Sequence, residues 1–436
     1  MGRLRAALAS VPDRFWFVPA LFIAAAILLA QVLVGADRAQ LPMPGILEEF
    51  VFDTGVDGAR ALLTAVASFL GVAGTAFSIT ISVISTASTT YGPRLVRNFM
   101  GDRNNQVVLG VLVATFVYTL LVLRTIRSET ADGASFVPHL AVNVAILLGI
   151  LDVFLFVWFI HHIADSIQVE TLVRGAREDF VRAVGSNWLD PSDDGVASAS
   201  PPREGGDVVT LGRGGYLTSI DARDLADDLA DAGATVRLLK RVGDQVTTDE
   251  PLAVVWPAGS GAQVESTVRD HVHVGPSRTP SQDVRFAEQQ VVELAVRALS
   301  PGTNDPYTAV NAVEEVAVGI LEEVGRPQGG NALLDGAGTV RLHLRPVTTE
   351  EIVDMPFSHL RPYALGSRIV LEALADLAAR IETAAIAPAT ARRAREHVGT
   401  LVGEAAGVLA PADLTLLEDY VAASRRRSIS PPPARP

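Results

Sequence analysis

The chain has 436 residues, of which 49% are hydrophobic and only 19% charged, and its mean hydropathy is +0.30. A soluble protein of this length seldom has so apolar a composition, so we expect membrane-spanning segments. The absence of cysteine excludes disulfide bridges and thiolate metal sites, and the net charge of −13 argues against a nucleic-acid partner, which requires a basic surface.

The apolar residues are concentrated in the first 165 residues, where four segments are long enough to cross a bilayer core. A crossing takes about 20 helical residues. We predict a transmembrane domain over residues 15–165, with helices at about 15–35, 59–89, 105–125 and 136–163. Arg3 and Arg5 precede the first segment as in a signal peptide, but its apolar run exceeds the roughly 7–15 residues of such peptides and favours an uncleaved anchor.

The distribution of arginine predicts the orientation of the four helices. The positive-inside rule assigns arginine-rich flanks to the cytoplasm, so we expect both termini there, with residues 1–14 as a cytoplasmic segment. Loops 36–58 and 124–135 contain fewer arginines, although Arg124 and Arg127 count against this assignment. The arginines that support it are Arg3, Arg5, Arg14, Arg94, Arg97, Arg103, Arg174, Arg177 and Arg182.

The second segment has small or hydroxyl-bearing residues at alternating spacings of three and four, which places them on one helix face. Such residues allow close helix packing in lipid, so one interpretation is a helix–helix contact. Another is a hydroxyl-lined aqueous path in an oligomer, and a third is chance, because other faces are also rich in serine and threonine. We call this set the hydroxyl seam; it comprises Ser68, Gly71, Thr75, Ser78, Ser82, Ser85 and Thr89.

Ionisable side chains occur within the fourth segment. Asp152 lies near its centre, where a charge costs at least about 2.5 kcal/mol, so we expect it to be protonated, to face the bundle interior or to pair with a polar group. A relay or ion-binding role is one interpretation. His161, His162 and Asp165 lie at the inner end, and the spacing of His161 and Asp165 suits either an orienting hydrogen bond or two metal ligands. Two ligands do not define a metal site, and we predict none.

Beyond the membrane domain, the sequence predicts a connecting helix and linker over residues 166–206 and a small β-rich unit over 207–257. Residues 242–246 (Val-Gly-Asp-Gln-Val), followed by Glu-Pro-Leu at 250–252, resemble the repeat of biotinyl/lipoyl-like barrel-sandwich domains. Lys240 is the only lysine and does not occupy the hairpin position where those domains attach their cofactor. We therefore expect a structural barrel and no cofactor, with Asp221 capping a helix at 222–232.

A mainly helical domain is predicted over residues 264–424, followed by a disordered tail at 425–436. Helices at 282–299 and 306–324 flank a turn at 300–306, and a strand at 341–345 precedes helices at 362–381, 390–409 and 414–424. The turn suits either a rigid corner fixed by side-chain caps or an anion site at a helix N-terminus. The residues of this candidate site are Arg278, Arg297, Ser300, Gly302, Asn304 and Asp305.

Several longer motifs are similar to those of one bacterial family of predicted membrane proteins, catalogued as domain of unknown function 2254. They are Arg278-Thr279, Gln282-Asp283, residues 297–306 (Arg-Ala-Leu-Ser-Pro-Gly-Thr-Asn-Asp-Pro), 91–94, 122–125 and 159–163. The resemblance spans nearly the whole chain. It implies a multipass protein of the bacterial inner membrane and implies no activity.

The expected fold class is an α-helical membrane protein with four transmembrane helices and a C-terminal cytoplasmic α+β region that contains a barrel-sandwich-like unit. The leading hypothesis is a homo-oligomer that forms or gates an ion or solute path, with the cytoplasmic region as vestibule or sensor. The alternative is a membrane-anchored platform that binds a cytoplasmic partner or small ligand without transport. No catalytic constellation is recognisable, so we do not expect an enzyme.

Overall fold

The computed structural model describes residues 15–39, 54–91, 102–128, 135–166, 168–203 and 205–429, except for the side chains of residues 87, 89–91 and 427–429. The chain divides into two compact units, Met1–Gln168 and Val169–Pro436. The predicted cytoplasmic segment 1–14, Arg94 and Arg97 lie outside the described residues.

The N-terminal unit contains the four predicted apolar helices, each long and apolar enough to cross a membrane. The second helix begins three residues before its predicted start and reaches Tyr91. The helices are α1 (Phe17–Arg38), α2 (Val56–Tyr91), α3 (Arg103–Leu123) and α4 (His139–Ser166).

Helix α3 packs against each of the other three helices. It approaches α1 closely at Gly110, where a Cβ atom would lie 2.9 Å from Phe22 Cδ2 and 3.2 Å from Pro19 Cα. Small residues allow such approaches between helices in lipid. Asp37, at the end of α1, accepts hydrogen bonds at 3.1 Å from the backbone N–H groups of Leu140 and Ala141. This carboxylate therefore satisfies N–H groups that the first turn of α4 leaves without helical partners.

The C-terminal unit combines nine helices of the described residues with two sheets. The larger sheet has strand order β1-β8-β9-β4-β6-β2, and the smaller has order β5-β3-β7. The elements are α5 (Val169–Asn187), β1 (Val196–Ala197), β2 (Asp207–Thr210), β3 (Gly215–Ile220), α6 (Ala222–Asp231), β4 (Thr235–Leu238), β5 (Gln245–Val246), β6 (Pro251–Trp256), α7 (Gly261–His271), β7 (Val272–Gly275), α8 (Val284–Ala298), α9 (Pro306–Val324), β8 (Ala332–Leu334), β9 (Val340–His343), α10 (Thr349–His359), a single turn at Arg361–Ala364, α11 (Arg368–Ala384), α12 (Pro388–Ala405) and α13 (Pro411–Ile429).

Two hydrophobic cores stabilise this unit. One is formed by α5 and the helices from α8 onward, and the other lies between the strands and the helices α6 and α7. In the first core, a Cβ atom at Gly319 of α9 would lie 2.5 Å from the ring of Phe180 on α5. Glycine at this position therefore allows the aromatic ring to pack directly on the α9 backbone.

The predicted barrel-sandwich unit at residues 207–257 is not confirmed. Its strands are divided between the two sheets, and β4 pairs in parallel with β9, with Val236 opposite Leu342. The larger sheet also takes β1 and β8 from outside the predicted unit. The short Gly-Asp and Pro-Leu motifs specify local turns, and they contain no information about such distant strand pairing.

Asp221 does not cap α6 with its side chain, contrary to expectation. Its carboxylate lies instead 2.8 Å from Nε2 of His273 on the neighbouring strand β7. The imidazole of His273 is thus the partner of the carboxylate that was expected to accept N–H groups of the first turn of α6.

The region predicted as a linker and the predicted tail both contain regular structure. Residues 196–197 form β1 and pair with β8, although the linker was expected to cover 190–206. Helix α13 continues to Ile429, through the first residues of the predicted disordered tail, and residues 430–436 lie outside the described residues. The helices α7 and α10 were not predicted.

Candidate functional site

The hydroxyl seam lies on the surface of the N-terminal unit. Ser68, Gly71, Thr75, Ser78, Ser82 and Ser85 are all exposed, whereas the side chain of Thr89 lies outside the described residues. A Cβ atom added at Gly71 would meet no other atom within 4 Å. The seam is therefore open along its described length, and α3 and α4 pack on a different face of α2.

Some hydroxyl groups of the seam form hydrogen bonds within α2 itself. The hydroxyl of Ser68 donates to the carbonyl of Ala65 at 2.7 Å, and that of Thr75 donates to the carbonyl of Gly71 at 3.0 Å. Such bonds lower the cost of placing hydroxyl groups in an apolar environment. The seam can therefore face either another helix or water.

The remaining exposed surface of α2 has different chemistry. Val72, Ile79 and Val83 are apolar and exposed, and Ile79 retains 60% of its accessible surface. Successive helical residues are about 100° apart, so Ile79 points well away from its neighbour Ser78. Helix α2 thus has an apolar stripe suited to lipid beside a seam of small and hydroxyl-bearing residues.

Asp152 faces the interior of the four-helix bundle. It is 2% exposed, and the hydroxyl of Thr115 on α3 donates to its Oδ1 at 3.1 Å. This arrangement matches one of the expected solutions for a carboxyl within an apolar helix, namely pairing with a polar group inside the bundle. Two polar side chains from adjacent helices therefore form a buried contact in the middle of α3 and α4.

Other polar side chains are buried along the same pair of helices. Asn105, Gln106 and Thr119 lie on α3 and Asn143 lies on α4. Asn143 donates to the carbonyl of His139 at 2.8 Å, and the Thr119 hydroxyl donates to the carbonyl of Phe116 at 2.8 Å. The bundle interior therefore has polar groups near both ends of α3 as well as at its centre.

The two histidines of α4 have different environments. His162 Nε2 lies 2.6 Å from Asp102 Oδ2, and its ring stacks on Trp158 with centroids 5.0 Å apart. His161 lies on the exposed side, with Nε2 3.5 Å from Asp165 Oδ2. Among the described residues, no group of three or more His, Cys, Asp or Glu side chains could hold a metal ion.

The predicted turn in the C-terminal unit is held by capping contacts. Asp305 accepts the backbone N–H of Thr308 at 3.1 Å and its hydroxyl at 2.6 Å, and these bonds hold the pKa of Asp305 below its usual value. The Ser300 hydroxyl donates to that of Thr303 at 3.3 Å. Asn304 has φ of 46°, a conformation that asparagine tolerates better than most residues.

The two arginines assigned to this turn have carboxylate partners. Arg278 binds Asp283 through two bonds of 2.7 and 2.9 Å, and Arg297 binds Glu293 in its own helix at 2.8 Å. These contacts fit the interpretation of a rigid corner, and the anion role of the turn stays a prediction.

Three polar residues of the N-terminal unit, Asp102, Thr115 and Asp37, form contacts that the sequence analysis missed. Asp102 accepts the backbone N–H of Asn104 at 2.8 Å at the start of α3, so the N-cap preference of aspartate was a usable signal. Thr115 and Asp37 gave no such signal, because their contacts with α4 depend on how the helices pack.

Comparison with known proteins places the chain in a family. The family model described as "Predicted membrane protein (DUF2254)" matches residues 12–380. The chain is 29% identical over 398 residues to the uncharacterized protein Rv1290c of Mycobacterium tuberculosis and to the uncharacterized protein Mb1321c of Mycobacterium bovis. Each match covers 89% of this chain and 75% of the relative. No solved structure matches the chain significantly. The chain therefore belongs to the DUF2254 family of predicted membrane proteins, as its four apolar helices and its motifs indicate.

Proposed function

We propose that this membrane protein forms a homo-oligomer through the hydroxyl seam of α2, and that the seams form or gate a path for ions or small solutes. The C-terminal unit would lie in the cytoplasm, with both termini, and act as a vestibule or sensor at the bacterial inner membrane. The proposal assigns no catalytic reaction to the protein. The observation that carries it is the exposure of the seam along its described length.

Packing in lipid favours a second helix on the seam. Lipid chains gain little from contact with serine, threonine and glycine, whereas a partner helix can approach closely and form Cα–H and hydroxyl contacts. Spacings of three and four repeat every seven residues, which keeps the same face toward a partner along a left-handed pair of helices. A second copy of α2 supplies an identical seam and is the occupant we propose.

The length of α2 also fits a role that extends beyond the bilayer. Its 36 residues correspond to about 54 Å, whereas the hydrocarbon core is about 30 Å thick. An oligomer of α2 helices would therefore continue past the hydrocarbon layer, where its hydroxyl groups would face water.

Cysteine crosslinking tests the assembly. We expect Ser78→Cys and Ser82→Cys to form disulfide-linked dimers in membranes treated with an oxidant, because a cysteine at the seam would face the same residue of the partner. The matched control is Ile79→Cys, whose side chain lies on the lipid-facing stripe. The native chain contains no cysteine, so any crosslink comes from the introduced residue. Equal crosslinking at Ser78 and Ile79 would contradict a seam-specific contact.

Flux through the assembly is a separate prediction. Purified protein in liposomes should conduct K⁺ or Cl⁻, and the double variant Ser78→Leu/Ser82→Leu should lower the flux about tenfold, because a barrier of about 1.4 kcal/mol has that effect. Ion-sensitive dyes inside the vesicles measure it, with Ile79→Leu as the control. Absence of flux in the wild type would remove the path hypothesis; with seam-specific crosslinks, it would favour the alternative of an assembled binding platform.

A further inference from the structure

A polar cavity of about 170 Å³ lies in the C-terminal unit, apart from the predicted turn. It is formed where α5 and α9 end and where α10 and α12 begin. The cavity therefore has room for several waters or for one small ligand.

Three atoms of the lining residues have no hydrogen-bond partner among the described residues. They are Glu323 Oε2, Arg326 Nη1 and Thr390 Oγ1. Glu323 is 7% exposed and Thr390 only 1%. Buried polar groups are nearly always hydrogen-bonded, so three such atoms around one cavity point to an occupant that bonds them.

The two charged side chains are held in place by their other atoms. Glu323 Oε1 accepts the hydroxyl of Thr349 at 2.9 Å. Arg326 contacts Glu322 through Nη2, and its guanidinium lies 5.2 Å from the centroid of the Trp188 ring. A carboxylate and a guanidinium three residues apart thus leave one atom each unbonded instead of pairing with each other. An occupant with one anionic and one cationic group would satisfy both.

One helix N-terminus adds to the preference for an anion at one side of the cavity. Helix α10 begins with a capping box between Thr348 and Glu351, and the helix offers no partner to the N–H groups of its first two residues. The N-terminal end of a helix carries a partial positive charge and favours a carboxylate.

We propose that this cavity binds a small free α-amino acid. The ligand carboxylate would bond Arg326 and the N-terminal turn of α10, and its ammonium group would bond Glu323. The hydroxyl of Thr390 would complete the site. Burial raises the pKa of Glu323, and an ammonium group beside it would favour the ionised carboxylate. This inference goes beyond the membrane path and does not depend on it.

Calorimetric titration of the full-length protein in detergent tests the ligand class. The probes are glycine, L-alanine and L-serine, each compared with the matched acid that lacks the amine (acetate, propionate or 3-hydroxypropionate) and with ethanolamine, which lacks the carboxylate. We expect at least one of the three amino acids to bind, and the compounds that lack one charge to bind about tenfold more weakly or not at all.

Variants then locate the site. Thr390→Val and Glu323→Gln should each weaken binding of the amino acid about tenfold, since each removes a bond to a buried group. The matched controls are Thr400→Val, on the exposed side of the same helix, and Arg395→Lys, whose guanidinium pairs with Glu382 at the surface. Circular dichroism of each variant verifies that its secondary structure is retained.

Two results would overturn the proposal. Matched acids that bind as tightly as the amino acids would show that the cavity is a simple anion site. No binding by any of the three amino acids would show that ordered water fills it. Because flux and crosslinking depend on α2 alone, failure of the ligand test is distinguishable from failure of the path hypothesis.

Discussion

Replacing Asp283 by alanine should lower the free energy of unfolding of the C-terminal unit by about 3–5 kcal/mol, the range for breaking a buried ion pair by removing one partner. The Asp283 side chain is 2% exposed and that of Arg278 is 19% exposed. Without the carboxylate, the Arg278 guanidinium would stay largely buried with its charge uncompensated.

The same carboxylate also begins a helix. Asp283 Oδ1 accepts the backbone N–H of Phe286 at 3.0 Å at the N-terminus of α8, and such caps contribute about 1 kcal/mol. A Cβ atom at Gly243 would lie only 2.1 Å from Asp283 Oδ2, so the loop at Gly243 packs directly on the carboxylate. Alanine at position 283 therefore removes an ion pair, a cap and a packing contact together.

Chemical denaturation of the full-length protein in detergent, followed by circular dichroism, measures the effect. Asp283→Asn retains an acceptor for the cap and should lie between the wild type and Asp283→Ala. The control is Arg223→Ala, which breaks an exposed pair with Asp193 and should leave stability almost unchanged. A loss smaller than about 1 kcal/mol in Asp283→Ala would show that the pair contributes no more than a surface ion pair.

The sequence allowed prediction of those features that depend on neighbouring residues. The four apolar helices follow from the length of apolar runs, and the cap at Asp305 follows from the Asp-Pro pair that precedes α9. The alternating spacing of three and four also placed the hydroxyl seam on one face of α2. Each of these signals lies within a few helical turns of the chain.

Features that depend on distant contacts were not predictable in the same way. The pairing of β4 with β9 joins strands separated by seven other elements, so the short turn motifs between residues 242 and 252 led to a barrel that is not confirmed. The sequence also could not predict which face of α2 the other helices cover, because that depends on how the helices pack. The unbonded atoms around the polar cavity come from two distant parts of the chain, the end of α9 and the start of α12, and have no shared motif.

Replacing Glu288 by methionine should stabilise the C-terminal unit by about 1–3 kcal/mol at about pH 4.5, the cost of a buried polar group that lacks a hydrogen bond, and by more at pH 8. Glu288 is fully buried in α8, and both carboxylate oxygens lack a hydrogen-bond partner among the described residues. Methionine has a similar volume and no group that requires one. The same helix thus contains one acid that stabilises the fold, Asp283, and one that destabilises it.

The pH dependence has a definite sign. Burial raises the pKa of Glu288 well above its usual 4.5. Below that usual value the carboxyl is protonated in both the folded and the unfolded chain, so it contributes no pH dependence. As pH rises from there to the raised pKa, only the unfolded chain releases the proton, and stability falls. The advantage of Glu288→Met should therefore grow over this range.

Denaturation of wild type and Glu288→Met between about pH 4.5 and pH 8 measures this difference and cancels the titration of other groups. Glu288→Gln provides a second comparison, because it removes the titration and keeps a polar group that lacks partners. Glu288→Gln should therefore remove the pH-dependent part of the stability difference from Glu288→Met. At low pH it should recover little of the stability that Glu288→Met gains over the wild type. Glu293→Gln on the same helix controls for loss of one acid, since Glu293 is partly exposed and bound to Arg297. Equal stability of wild type and Glu288→Met at every pH would mean that the carboxyl has a partner in solution, such as ordered water, that satisfies both of its oxygens.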